Sequence, residues 1–134
     1  MFARGTVNSA ALIALVEGGA FSDLPNLKVV VTGHAIGGLA MASGLSEQSR
    51  LPGGATDVMR KHVFIDTQLI HPALIRASVD LLGTGQVMAG SDWPIVDDGP
   101  IGGMLAHAMH KAGLSAAEQK AIAADNCLRL LGVN

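Results

Sequence analysis

Apolar positions along the chain follow two patterns. In the first, they recur at helical spacing. Leu12, Leu15 and Val16 mark one face of a helix over Thr6–Glu17, and Gly18–Gly19 ends it. Leu74, Ile75, Val79 and Leu82 mark a second helix that starts at Pro72, where the missing N–H costs nothing, and stops at Gly83. In the second pattern apolar residues run together without alternation. Lys28–Thr32 is such a run and fits a strand covered on both faces, and Val63–Asp66 and Gln86–Gly90 read as a second and a third strand. Pro25–Asn26 marks a turn and Leu51–Ala55 a loop. Gly33–Ala42 turns into a helix despite Gly37–Gly38, Thr56–His62 is a short helix, and Gly102–Ala112 is another. Ser115 and Glu118 form a capping box that opens a last helix, which runs to about Leu131 and stops at Gly132.

Strands alternating with helices predict βα units, hence a parallel α/β sheet with right-handed crossovers and helices outside. His34, Asp66 and Asp92 each stand at or just past the C-terminal end of a strand. Parallel pairing brings all three to one edge, the edge where α/β folds bind ligands. No repeat of fixed period and no low-complexity segment divides the chain, so residues 1–134 read as one domain.

Composition narrows the class. The chain has 134 residues, 49% of them hydrophobic, with a net charge of −2, which excludes intrinsic disorder. There is no run of Lys and Arg, which argues against a nucleic-acid or membrane-surface partner. Cys127 is the single cysteine, which excludes an internal disulfide framework and a cysteine-rich zinc site. Mean hydropathy is +0.41, yet no apolar run reaches the roughly 18–20 residues of a membrane helix. Ala10–Val16 is too short for one and follows Arg4 without a cleavage pattern, so a cytoplasmic location is expected.

Three polar positions carry candidate chemistry. Asp92, between Gly90 and Pro94, can hold a divalent metal or act as a general base, or this segment simply caps its helix or turn through Ser91 or Asp92; the pattern leaves these open. His34, directly after the Lys28–Thr32 run, can be a metal ligand, a proton shuttle or an electrophile, and the commoner role of such a residue is a backbone hydrogen bond in a tight turn. Asp66 can orient a ligand, although capping the next turn is the commoner role. The remaining candidates read as structural. His107 and His110 lie i, i+3 on a solvated helix face, His71 caps the helix at Pro72, and His62 ends the exposed run Arg60-Lys61-His62. Cys127 reads as a small buried apolar residue and the six Met as core filler, while Trp93 fits either a ligand wall or a rim.

These segments, in order, resemble the amidohydrolase-related family of metal-dependent (β/α)8 barrels, which includes hydrolases and aminocarboxymuconate-semialdehyde and hydroxybenzoate-type decarboxylases. Phe21–Gly38, with Pro25, Leu27-Lys28-Val29, His34 and Gly37-Gly38, is similar to the family's sixth-strand segment. Val63–Thr67 is similar to the seventh strand. His71–Trp93 resembles the seventh helix and eighth strand, ending in Gly90-Ser91-Asp92-Trp93-Pro94. Leu114–Leu131 looks like the closing helix. The resemblance implies the C-terminal three βα units of a (β/α)8 barrel with a closing C-terminal helix. It implies a metal-dependent enzyme that hydrolyses or decarboxylates a small carboxylate, with zinc as the expected ion and manganese the alternative. Asp92 matches the eighth-strand metal-binding aspartate and His34 the sixth-strand catalytic histidine.

The departures shape the expectation. The family's first-strand His-x-His pair and fifth-strand metal histidine have no counterpart, and the usual His-x-Gly-Gly turn is longer here by one residue. A barrel takes about 250 residues and eight strands, against three strands here. One carboxylate and one histidine fall short of the roughly three protein ligands of a catalytic zinc. The chain alone is therefore expected to be inactive. Its open sheet edges and uncovered inner face call for a partner: the N-terminal barrel half or a second copy of the chain in a homo-oligomer. Two other readings compete. Val31–Gly38 resembles the nucleophile elbow of lipases, with Ala35 where the serine belongs. A non-catalytic α/β module that kept the scaffold and lost the site is the other.

Overall fold

Three short strands, β1 (Val29–Val31), β2 (Val63–Asp66) and β3 (Val87–Met88), pair in parallel in the order of the sequence. Val30 lies opposite Phe64, and Asp66 opposite Met88. This computed structural model describes residues 2–95 and 101–133. The helices are α1 (Phe2–Glu17), α2 (Ala20–Asp23), α3 (Ile36–Gly44), α4 (Gly54–His62), α5 (Pro72–Leu82), α6 (Ile101–Lys111), α7 (Ala116–Lys120) and α8 (Asn126–Leu131). α3 and α4 connect β1 to β2, and α5 connects β2 to β3, so every described crossover is helical, as parallel pairing requires.

The two faces of the sheet are unlike. Side chains alternate along a strand. Val63, Ile65 and Val87 are fully buried on one face, and Val29 and Val31 pack there too, against a core of Leu12, Val16, Leu39, Met59, Ile75, Val79, Leu82, Leu105, Met109 and Ile122. Val30, Phe64 and Met88 lie on the other face, outside that core, and Val30 is 50% exposed. Close packing of helix on helix depends on a small residue. A Cβ at Gly38 would sit 2.7 Å from the Ser9 carbonyl oxygen, so only glycine lets α3 approach α1 this closely.

Several expected elements differ in extent. Strand β1 ends at Val31 because the Thr32 carbonyl turns to accept Ala35 N–H, opening a 3-10 turn at Gly33–Ala35 before α3. Strand β3 ends at Met88 because the next N–H, that of Ala89, donates to the Ile122 carbonyl instead of a strand. Ile122 lies in a wider turn, Ala121–Asp125, that interrupts the closing helix between α7 and α8. The capping box is present: Glu118 N–H donates to Ser115 Oγ, and Ser115 N–H donates to Glu118 Oε2.

Several side chains are placed differently from expectation. His62 is buried, stacked on Phe21 with ring centroids 4.7 Å apart, and its Nδ1 donates to the Leu27 carbonyl. The run Arg60-Lys61-His62 looks charged, but helical phase puts His62 inward with Ala55 and Met59. Cys127 is exposed, because its neighbour Asn126 takes the inward position. His71 occupies the N-cap position of α5 but its side chain makes no cap hydrogen bond. The methionines divide, with Met59, Met88 and Met109 buried and Met41 and Met104 exposed.

Candidate functional site

The C-terminal ends of β1, β2 and β3 form one edge: Asp66 is the last residue of β2, and the turns after β1 and β3 carry His34 and Asp92. With neighbouring strands about 4.8 Å apart, β1 and β3 are separated by about 10 Å, close enough for side chains from the two to face one volume.

The β1–β2 half of this edge is knitted together. Asp66 Oδ1 accepts Gly33 N–H at 2.8 Å and Gln68 N–H at 3.0 Å. One carboxylate oxygen therefore fixes the turn after β1 and the turn after its own strand. Gln68 Oε1 lies 3.0 Å from Nδ1 of His34. The imidazole's other nitrogen, Nε2, is buried and has no hydrogen-bond partner among the described residues. The loop behind Gln68 is tightly wound: Ile70 N–H donates to the Thr67 carbonyl at 2.7 Å, and Ile70 has φ +42°, a left-handed conformation that β-branched residues rarely adopt. His34 also borders an open groove of about 530 Å³ between α1 and α3, lined by Thr6, Ser9, Ile13, Gly37 and Met41 among others.

The β3 half is open. Gly90 passes Asp66 so closely that a Cβ there would sit 2.8 Å from the Asp66 side chain, and Gly90 N–H donates to Thr67 Oγ1 at 3.2 Å. Asp92 follows with φ +61°, a conformation in which aspartate is several-fold enriched. Its backbone carbonyl accepts Ile95 N–H, while its carboxylate has no hydrogen-bond partner among the described residues. Ser91 Oγ accepts Trp93 N–H, so Ser91, not Asp92, supplies the side-chain cap of this turn. Trp93 is 76% exposed.

The structure thus links His34 with Asp66 through Gly33 and Gln68, and puts Asp92 at the same edge with its carboxylate uncommitted. Asp66 caps its turn, as expected, and also reaches across to β1. His107 and His110 are exposed on α6, as the helical spacing suggests. Gln68 escaped the sequence reading; the sign of it is a polar side chain two residues past the strand-end carboxylate. For a metal, Asp92 offers a hard oxygen donor. No group of three or more His, Cys, Asp or Glu that could hold an ion occurs among the described residues. The described residues therefore fall short of a complete metal site.

Comparison with known proteins places these observations. A family model described as Amidohydrolase matches residues 9–133. No curated protein sequence matches the chain. Among solved structures, the chain is similar to 5-carboxyvanillate decarboxylase from Sphingomonas paucimobilis (18% identity, TM-score 0.78, covering 97% of this chain and 41% of that one). It is similar to dihydroxybenzoic acid decarboxylase from Polaromonas sp. JS666, whose structure holds manganese and the inhibitor 2-nitroresorcinol (15% identity, TM-score 0.78, 96% and 40% covered). It is also similar to 2,6-dihydroxybenzoate decarboxylase from Rhizobium (15% identity, TM-score 0.69, 92% and 40% covered). The chain spans about two fifths of the length of these structures. Its fold is that of the C-terminal three βα units of a (β/α)8 barrel, with the closing helix. The motif order, the parallel sheet and the family match agree: this chain belongs to the amidohydrolase family.

Proposed function

We propose that this chain, as residues 1–134 of a single partial (β/α)8-barrel domain, supplies the acid/base half of a divalent-metal-dependent decarboxylase acting on a small aromatic carboxylate. The observation that supports it most is the buried, unpartnered Nε2 of His34 at the ligand-binding edge of the sheet. A buried polar atom without a partner in an otherwise satisfied network is a place for a ligand. Decarboxylation is preferred to hydrolysis because the structural neighbours named above are decarboxylases. In this reading His34, protonated on Nε2, delivers its proton to the ring carbon that bears the carboxylate. The bond to the carboxylate then breaks, its electron pair returns to the ring, and carbon dioxide leaves. Solvent returns a proton to Nε2, so one proton is consumed per turnover. Asp92 contributes one oxygen ligand to the metal, zinc or manganese, and the other ligands come from outside the described residues.

The same proposal extends to assembly and location. The outer edge of β1 carries no strand among the described residues and Val30 is half exposed on the inner face, so preceding βα units or a second copy would cover both. No described helix is long and apolar enough to cross a membrane; a cytoplasmic oligomer is the reading we adopt. The test uses the full-length protein with metal analysis and a decarboxylation assay. Asp92→Asn should remove metal and activity together, and His34→Asn should keep the metal and slow turnover on the order of a hundredfold or more. An Asp92→Asn variant with full metal content ends the ligand assignment. If the wild type takes up no metal under any condition, the non-catalytic module is the correct reading.

A further inference from the structure

We infer that Gln68 is a positioning residue that locks His34 in the Nδ1–H tautomer, so that Nε2 alone takes up and releases the proton. Three observations converge. Gln68 Oε1 stands 3.0 Å from Nδ1 of His34, within hydrogen-bond distance. An amide oxygen only accepts, so the ring nitrogen facing it must carry the hydrogen. The opposite arrangement, with the amide NH2 donating to a bare Nδ1, would put the ring's hydrogen on Nε2. That atom is buried and no acceptor among the described residues reaches it. A buried N–H donor without an acceptor is among the rarest features of folded proteins.

Gln68 is itself held in place. Its backbone N–H donates to Asp66 Oδ1 at 3.0 Å, the same oxygen that takes Gly33 N–H from the turn carrying His34. The acceptor and the imidazole therefore hang from one carboxylate, and their relative position is fixed by three hydrogen bonds and not by one long side chain. The loop is further wound by the Thr67–Ile70 turn. A neutral amide in this role differs from the carboxylate that commonly orients a histidine. It holds the ring without adding a negative charge beside it.

The placement of the hydrogen on Nδ1 does not depend on the decarboxylase reading; only the use of Nε2 as the exchanging atom rests on it. The experiment is long-range proton–nitrogen NMR on the 15N-labelled chain in the alkaline limit, where all imidazoles are neutral and the protonated and bare ring nitrogens resonate far apart. The chain has five histidines, and His34 is identified by the signals that vanish in His34→Asn. The wild type should show His34 with a protonated Nδ1 and a bare Nε2. Gln68→Glu, which can only accept, should keep that pattern. Gln68→Leu should lose it, shifting His34 toward the Nε2–H form or an average of the two. A wild-type His34 protonated on Nε2 overturns the inference, as does a Gln68→Leu variant whose His34 pattern is unchanged. Should Gln68→Leu not fold, the wild-type and Gln68→Glu spectra still decide. If the tautomer is as stated and the full-length protein neither binds metal nor decarboxylates, the proposed function fails alone.

Discussion

The two halves of the site edge are secured from opposite ends. The β1–β2 half is fastened at its C-terminal edge, where Asp66 holds Gly33 and Gln68 and Gln68 holds His34. The β3 half is fastened at the other end of the strand, by the closing helix. Asn126 Nδ2 donates to the carbonyls of Thr84 and Val87, each at 2.8 Å, Arg129 donates to the Gly85 carbonyl at 2.6 Å, and Thr84 Oγ1 donates to Glu118. The consequence is functional. Where the edge itself is fastened, the side chains are committed to one another and a histidine is held in one orientation. Where the strand is fastened from below, the edge is left with a free carboxylate at Asp92. A site that must both orient a proton carrier and keep a ligand available uses both arrangements side by side.

The largest effect should come from cutting the lower fastening. Asn126 is 1% exposed, and replacing it with Ala removes two hydrogen bonds: the Thr84 carbonyl keeps Val87 N–H, while the buried Val87 carbonyl loses its side-chain donor. Asn126→Ala should cost about 3 kcal/mol in urea denaturation. A loss near zero would show that β3 is held by apolar packing and not by the closing helix's hydrogen bonds. Cutting the upper fastening should matter less, because Asp66 is only partly buried. Asp66→Ala should cost about 2 kcal/mol, and Asp66→Asn, which keeps an acceptor oxygen, about half of that. The two changes lie in separate networks, so the Asn126→Ala/Asp66→Ala double variant should be additive within about 0.5 kcal/mol.

How far these two halves could be read from the sequence follows from the range of the interactions. The strands declare themselves locally: Val29–Val31 and Val63–Ile65 are unbroken β-branched or aromatic runs, and the elements expected from them are where they should be. Asp66 at a strand end was recognisable as a turn cap because that bond spans two residues. Its bond to Gly33 and the Gln68–His34 contact span 33 and 34 residues, and a single polar residue in a loop has no periodicity to betray its partner. Asn126 was hidden for the same reason, its partners lying about 40 residues away. His62 and Cys127 were misplaced although their helices' phase contained the answer. Residues 55, 59 and 62 share one face of α4, and Asn126, four residues after fully buried Ile122, takes the inward position that Cys127 does not. Net charge in a short run was a poorer guide than phase.

The open half makes the opposite prediction from the fastened one. Asp92 has no side-chain partner among the described residues to lose, and asparagine tolerates its φ of +61°. Asp92→Asn should therefore leave the unfolding free energy from urea denaturation unchanged to within about 0.5 kcal/mol. A substantial loss would mean that the carboxylate has a structural task, and the ligand assignment would lose its main support.

The smallest effect concerns Glu118, where the lower fastening meets solvent. Its carboxyl titrates below the usual carboxylate range, chiefly because Ser115 N–H donates to it, with the hydroxyls of Ser115 and Thr84 adding to this. A carboxyl whose folded value is depressed favours folding above its unfolded value, near pH 4.5, and that contribution disappears as the pH falls through the folded value. The stability of the wild type should thus include an acid-limb component that Glu118→Gln lacks, while the glutamine keeps a capping-box geometry. Because the group is solvent-exposed and screened, the component is small, and it should shrink further in high salt. Denaturation midpoints of wild type and variant at neutral pH and near pH 3 measure it: the gap between them should close on acidification. A gap that widens toward low pH would reverse the sign argued here and detach Glu118 from the fastening of β3.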